Sequence, residues 1–305
     1  MTRFCLGVNN CFAVKRWPEP AVWTTLVKHE LGLDLVQHSL DLVDLDVSSK
    51  DVMAQAADVR GACEKTGVHI DSTFTGLAAY SSNMLLSPSE HSRRRAEGWY
   101  RHAIDLSAAM GAPATGGHIG AFSVRDYRDS TRRKDLTFAL HDSLQKLAAY
   151  ARHRGLEYLL VENLAAAREP STMAGIRGLL TDGDAEHVPV RLCLDVGHQC
   201  VPGTAGDERN PYAWLEEMSV LAPVVQLQQS SAEADHHWPF TERANALGRI
   251  DAQRVLEAIS RSGAEKVALI LEIVPSFEAD DDDVLADMVA SAEYWRRALS
   301  SWDSN

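Results

Sequence analysis

Three acidic residues stand where apolar runs end. Leu192-Cys193-Leu194 leads into Asp195, and His198 follows three residues later. Glu162 and Asn163 close the run Leu159-Leu160-Val161, and Glu272 sits inside Val267 to Ile273. A carboxylate among aliphatic side chains is costly unless it is paired or bound to a cation. Separate salt bridges would be the plain explanation, but the ends of these runs offer no Lys or Arg. A fourth run, Val224 to Gln228, contributes Gln226. Three carboxylates and one amide oxygen make a hard, oxygen-rich donor set for a divalent metal. Such a set favours Mn2+ or Mg2+, with Co2+ or Zn2+ as second choices and a structural zinc site disfavoured.

Weaker candidates surround these. His118 lies in "GGHIG", with open space on both sides, and a substrate contact competes there with a structural role. A turn after Asp195 can bring His198 back over a bound metal or its substrate. "EADHHWPF" supplies Asp235, His236 and His237, read either as site residues or as a solvated loop. Lys15 and Arg168 are single basic loop residues suited to an anionic group on a substrate. Cys11 and Phe12 suit an apolar wall or plain core.

The elements that must position these residues follow from the hydrophobic pattern. Eight short apolar runs recur: 4–8, 33–37, 68–73, 112–118, 158–162, 190–195, 224–228 and 267–273. Near-continuous apolar strands fit a parallel sheet covered on both faces. The segments between them read as helices. Residues 133–153 place Leu136, Leu140, Leu144, Leu147 and Tyr150 on one stripe, with Gly155 as the stop. Its basic start, Arg132-Arg133-Lys134, opposes the helix dipole. Residues 283–299 carry a second stripe through Trp295, and the terminal "SWDSN" reads as frayed.

Eight alternations over residues 1–305 predict one (β/α)8 TIM barrel domain. An open doubly wound sheet is the alternative, but the first βα turn has no Gly-x-Gly-x-x-Gly loop. In a barrel the C-terminal strand ends meet at one mouth, so Asn9, Gln37, His118, Glu162, Asp195, Gln226 and Glu272 would converge there. The long loops 74–87, 119–130 and 229–249 would overhang it.

Composition narrows the partners. With 43 acidic against 30 basic residues the net charge is −13, which repels nucleic acid and anionic membranes. Arg93-Arg94-Arg95 reads as a solvated helix face. The five cysteines include no C-x-x-C pair, so neither a disulfide framework nor a thiolate zinc site is expected. Cys5, Cys63 and Cys193 read as core thiols. No signal peptide or membrane span is evident, and the cytoplasm is the expected location. A homodimer remains open, with Trp17, Trp23, Trp99 and Trp295 serving either an interface or the helix shell.

The spacing of Glu162, Asp195-x-x-His198 and Glu272, together with "VQLQQSSAEADHHWPF…LGRID", resembles the xylose isomerase-like TIM barrel superfamily. Asp235 and His237 match its D-x-H, and Gly248 to Asp251 match its ending. The strand 7 metal ligand of that superfamily is usually His, and here the position is Gln226. "LGVNNCFAVKRWPEP" and "LGLDLVQHSLDLVDL" are further similar to the ketose 3-epimerase branch, the tetrulose-phosphate 3-epimerases of erythritol catabolism.

The resemblance implies a metal-dependent enzyme acting on a small sugar or sugar phosphate such as D- or L-erythrulose 1-phosphate. Glu162 and Glu272 would flank C3 as an acid/base pair, passing through a cis-enediolate. The metal ligands would be Glu162, Asp195, Gln226 and Glu272. His118, His198 and Asn163 would hold substrate oxygens, and Lys15, Arg168 and His237 a terminal phosphate. Aldose–ketose isomerase or dehydratase chemistry on the same metal is the enzymic alternative. A non-catalytic sugar-binding barrel is the other, and a DNA repair nuclease is third.

Overall fold

The computed structural model describes residues 2–304. Eight parallel strands close into a barrel in chain order. They are β1 (Arg3–Asn9), β2 (Leu35–Ser39), β3 (His69–Phe74), β4 (Ala114–Gly117), β5 (Tyr158–Glu162), β6 (Val190–Asp195), β7 (Val224–Leu227) and β8 (Lys266–Leu271). Each apolar run of the sequence became a strand, with ends moved by a residue or two. The α-helices of the described residues are α1 (Pro20–Thr25), α2 (Ser49–Thr66), α3 (Glu90–Met110), α4 (Val124–Arg128) and α5 (Ser130–Arg154). Then come α6 (Met173–Leu179), α7 (Pro211–Met218), α8 (Glu242–Leu247), α9 (Ala252–Arg261) and α10 (Asp281–Asp303). This is the (β/α)8 TIM barrel, and the open sheet is excluded.

The chain forms two compact units. The first runs up to Gln37 and includes Ala62–His69 and the chain from Leu192 onward. Here β1 pairs with β2 and β8, and β7 pairs with β6 and β8. Asp195 is in register with Gln226, so their side chains leave the sheet on the same side. Val255, Leu256 and Ile259 form the buried face of α9. Trp295 of α10 is fully buried, edge-on to Phe240. Trp23 is fully buried as well, so both tryptophans belong to the chain's own core and not to an interface. α10 continues past the expected fraying point at Ser301, and Trp302 meets the Phe4 ring edge-on at 6.1 Å. Asn305 lies outside the described residues.

The second unit comprises His38–Gly61 and Ile70–Arg191. Leu136, Leu140, Leu144 and Leu147 of α5 pack with Tyr100 and Ile104 of α3 and with Leu159 and Val161 of β5. Gly116 of β4 permits the close approach to β5: a Cβ there would lie 1.9 Å from the Leu160 carbonyl oxygen. The basic start of α5 is compensated locally. Asp129 caps the helix by accepting from the amides of Thr131 and Arg132, and the Arg132 guanidinium reaches the buried Asp126. The loop expected at 119–130 contains α4, and that at 229–249 contains α8. Arg94 and Arg95 lie on a solvated face, paired with Glu90 and Asp46. Cys63 and Cys193 are buried as expected, whereas Cys5 is only partly covered. No helix of the described residues is long and apolar enough to cross a membrane.

Candidate active site

In the first unit the strand ends bring together carboxylates, amides and imidazoles. Glu272 follows β8 and is 7% exposed. Its Oε1 accepts from Asn9 Nδ2 at 2.9 Å and from Gln226 Nε2 at 2.7 Å. The same two nitrogens donate to Gln37 Oε1 at 3.0 and 2.8 Å. Neutral amides therefore hold this carboxylate without neutralising it. Burial raises its pKa to about 7, against the partly offsetting charge of His237.

Asp195, at the end of β6, is fully buried. Its Oδ1 accepts from the Gly197 amide at 2.6 Å, and both carboxylate oxygens accept from Gln228 Nε2 at 3.1 and 3.2 Å. His198 Nε2 lies 3.9 Å from Asp195 Oδ1 and 3.3 Å from Asp235 Oδ2. His237 Nε2 is also 3.3 Å from Asp235 Oδ2, and its Nδ1 is 3.7 Å from Glu272 Oε2. The two imidazoles meet edge-on at 5.6 Å.

This clustering sets the charges. Burial would raise the Asp235 carboxyl, but His198 and His237 outweigh it and hold it well below the ordinary range. Burial would lower His237, but Asp235 first, then Glu272 and Asp195, raise it to about 9. His237 also has a left-handed backbone, with φ +49°, which costs a non-glycine residue ~1–2 kcal/mol. The loop residues of "EADHHWPF" thus divide. Asp235 and His237 join the site, while His236 stacks on Trp238 at 3.7 Å and faces Ser231.

The chemistry of these donors suits a cation. Asp195, His198 and His237 each present a ligand atom, all within 4.8 Å of one another. Gln226 Oε1 is buried and has no hydrogen-bond partner in the structure, although its amide nitrogen is engaged twice. A buried carbonyl oxygen without a donor is the kind of group a hard divalent ion satisfies.

In the second unit Glu162 ends β5 at 2% exposure, with the Tyr80 hydroxyl 3.3 Å from its Oε2. The Tyr80 ring stacks on His118 at 4.3 Å. His118 is fully buried, with the Ser82 backbone beside its ring. Burial lowers its pKa to about 4, so the ring is neutral. Its backbone is held by Thr75 Oγ1 on its amide and by the Tyr100 hydroxyl on its carbonyl. Asn163 is buried beside Glu162.

The remaining candidates lie elsewhere. Arg168 is exposed and donates to the Phe122 carbonyl. Lys15, with φ +64°, holds its ammonium 4.1 Å over the Phe277 ring. Cys11 Sγ sits 3.4 Å from the Ile273 carbonyl, and Phe12 is plain core. Three contributors were not singled out from the sequence: Gln228, Tyr80 and the joint anchoring of Glu272 by Asn9 and Gln226. Gln228 was visible as a polar strand end. Tyr80 carried no signal, because its loop has no periodicity.

Residues 27–299 match the xylose isomerase-like TIM barrel family, and the chain belongs to it. A curated relative, D-erythrulose 1-phosphate 3-epimerase of Brucella abortus (strain 2308), is 27% identical over 296 residues, covering 95% of this chain and 94% of its own. A Rhodospirillum rubrum crystal structure, provisionally described as a xylose isomerase, superposes with a TM-score of 0.89 at 36% identity, covering 96% of this chain and 99% of that one. D-psicose 3-epimerase of Clostridium cellulolyticum H10, solved with D-tagatose, gives 0.68 at 14% identity, over 97% and 99% of the two chains, and is similar in fold.

Proposed function

We propose that this protein is a divalent-metal-dependent ketose 3-epimerase, acting on a short ketose or its phosphate, of the type D- or L-erythrulose 1-phosphate. The observation that carries the reading is the anchoring of Glu272. A buried carboxylate with a pKa near neutrality, held by amides and faced by an imidazole, suits a group that both takes and returns a proton. The names of the similar proteins support the substrate class.

In this reading Glu162, Asp195 and Glu272 hold the ion, with the Gln226 oxygen as the fourth donor. The bound ion supplies Lewis-acid polarisation of the ketose C2 carbonyl. Mn2+ or Mg2+ fits these oxygens best, ahead of Co2+ or Zn2+. Glu162 ends β5, and Glu272 directly follows β8. One removes the proton from C3, leaving an enediolate, and the other delivers a proton to the opposite face. Inversion requires two such groups, whereas transfer between C1 and C2 needs one face only. His118, held neutral by burial, hydrogen-bonds a substrate hydroxyl, and Asn163 and His198 take others. Lys15 and Arg168 are the candidates for a phosphate. His237 is not, because Asp235 and Glu272 would repel the anion. Five free thiols agree with a cytoplasmic protein.

The test is NMR of Mn2+- or Mg2+-loaded protein with L-erythrulose 1-phosphate in D2O. Deuterium at C3 and growth of the D-epimer are expected. Deuterium at C1 with aldose formation would assign an isomerase instead. No exchange with phosphorylated or free ketoses would leave a sugar-binding barrel.

A further inference from the structure

Gln228 occupies an unusual position for a side chain that is neither acid, base nor ligand. It is fully buried two residues beyond Gln226, just after β7. Its Oε1 accepts from the His237 backbone amide at 2.7 Å and from Ser230 Oγ at 2.6 Å. A backbone N–H can only donate, so the oxygen of this amide is fixed on that side. Its nitrogen then faces the other way, 2.7 Å from Asp235 Oδ1 and 3.1 and 3.2 Å from the Asp195 oxygens. Gly197 makes room for it: a Cβ there would lie 2.3 Å from Gln228 Cδ.

We propose that Gln228 is the positioning residue of the metal and acid/base cluster, one amide that ties the β6 carboxylate Asp195 to the loop bearing Asp235 and His237. This rests on the metal-dependent reading of the same site. The two ends of the amide do different work. The nitrogen end sets the separation of Asp195 and Asp235, which would otherwise repel, without adding charge. The oxygen end holds the His237 amide and so the left-handed turn that aims its ring at Glu272. Only an amide side chain offers both ends at once, and Asn is one methylene shorter. A Glu in this place would lose the donors, a Lys the acceptor, and Leu, of similar size, would lose both. Because its oxygen is committed to the loop, Gln228 is not itself a metal donor.

The variants are Gln228→Leu, Asp235→Asn and the double substitution, read in four ways. The first is chemical denaturation of the metal-free protein, which fixes the folded fraction. The second is Mn2+ affinity by EPR titration, where a 10- to 100-fold loss is expected for Gln228→Leu, the usual range for a residue orienting metal ligands. The third is steady-state epimerisation, where kcat falls by a similar factor and KM changes little. The fourth is imidazole 15N shifts in the metal-free protein, where His198 and His237 move and His118 does not. The double variant should bind Mn2+ no more weakly than the worse single one, since both break the same tie. Wild-type affinity, wild-type kcat and unmoved imidazoles in folded Gln228→Leu would overturn the proposal, as would losses that merely track the unfolded fraction. Wild-type protein that neither binds Mn2+ nor turns over ketoses would refute the functional reading instead, and the imidazole shifts would still decide the role of Gln228.

Discussion

Replacing Glu272 by Gln should stabilise the metal-free protein while removing its activity. Gln keeps an oxygen for the donors Asn9 and Gln226, so the packing and both hydrogen bonds can persist. What disappears is a buried charge. The Glu272 pKa rises from 4.5 to about 7 in the fold. Its neutral form is therefore favoured, and its contribution to stability is full below about pH 4.5 and is lost as pH rises through about 7. That rise corresponds to ~3 kcal/mol lost by pH 8. Glu272→Gln never ionises and should not pay it. At ~2.1 cal/mol/K per residue over 305 residues, the variant should melt ~5 °C higher than wild type at pH 8, and the two should converge toward pH 4.5. Loss of the weak Glu272–His237 contact trims this gain. The assay is thermal unfolding in EDTA at pH 5 and pH 8, paired with turnover of the Mn2+-loaded enzyme. Turnover should fall by ~10²–10⁴, the usual contribution of a general acid/base group. A variant less stable than wild type at pH 8, or one that keeps a tenth of kcat, would refute the reasoning.

Glu162→Gln should also abolish C3 exchange while Mn2+ binding only weakens; calorimetric titration beside the NMR assay separates the two. His118 has its pKa lowered to about 4, so the fold keeps it neutral and the unfolded chain takes up a proton below about pH 6.5. Its contribution is present above that pH and lost as pH falls toward 4. His118→Gln should flatten that part of the stability profile in urea melts and raise KM for the ketose more than it lowers kcat. Gly116→Ala would drive a Cβ to 1.9 Å from a backbone oxygen of the neighbouring strand. A destabilisation of ~3 kcal/mol or more is expected, read as a lowered urea midpoint.

The barrel was legible because each strand is buried on both faces, which writes a short apolar run into the sequence wherever a strand lies. The same rule pointed to the candidate site, since a carboxylate at the end of such a run needs a partner or a cation. Glu162, Asp195 and Glu272 became candidates this way, and Gln226 as a departure from the ligand usual in the family that the sequence resembles. Helix ends were less legible. α10 runs on to Asp303 because Trp302 finds Phe4, a partner almost three hundred residues away. The loops were least legible, because short helices such as α4 and α8 carry too little periodicity to be read.

The sequence by itself determined the fold class, the strand ends and the acids that stand on them, since burial and periodicity are local properties of composition. Only the tertiary structure decided how those groups face one another. Side-chain direction in a loop depends on distant hydrogen-bond partners. Thus His237 turns toward Glu272 and Asp235, and the Arg168 guanidinium donates to the Phe122 carbonyl. Gln226 and Gln228, two residues apart and alike in sequence, were separated in the same way. One leaves its oxygen bare in the interior, and the other commits its oxygen to a backbone amide nine residues on.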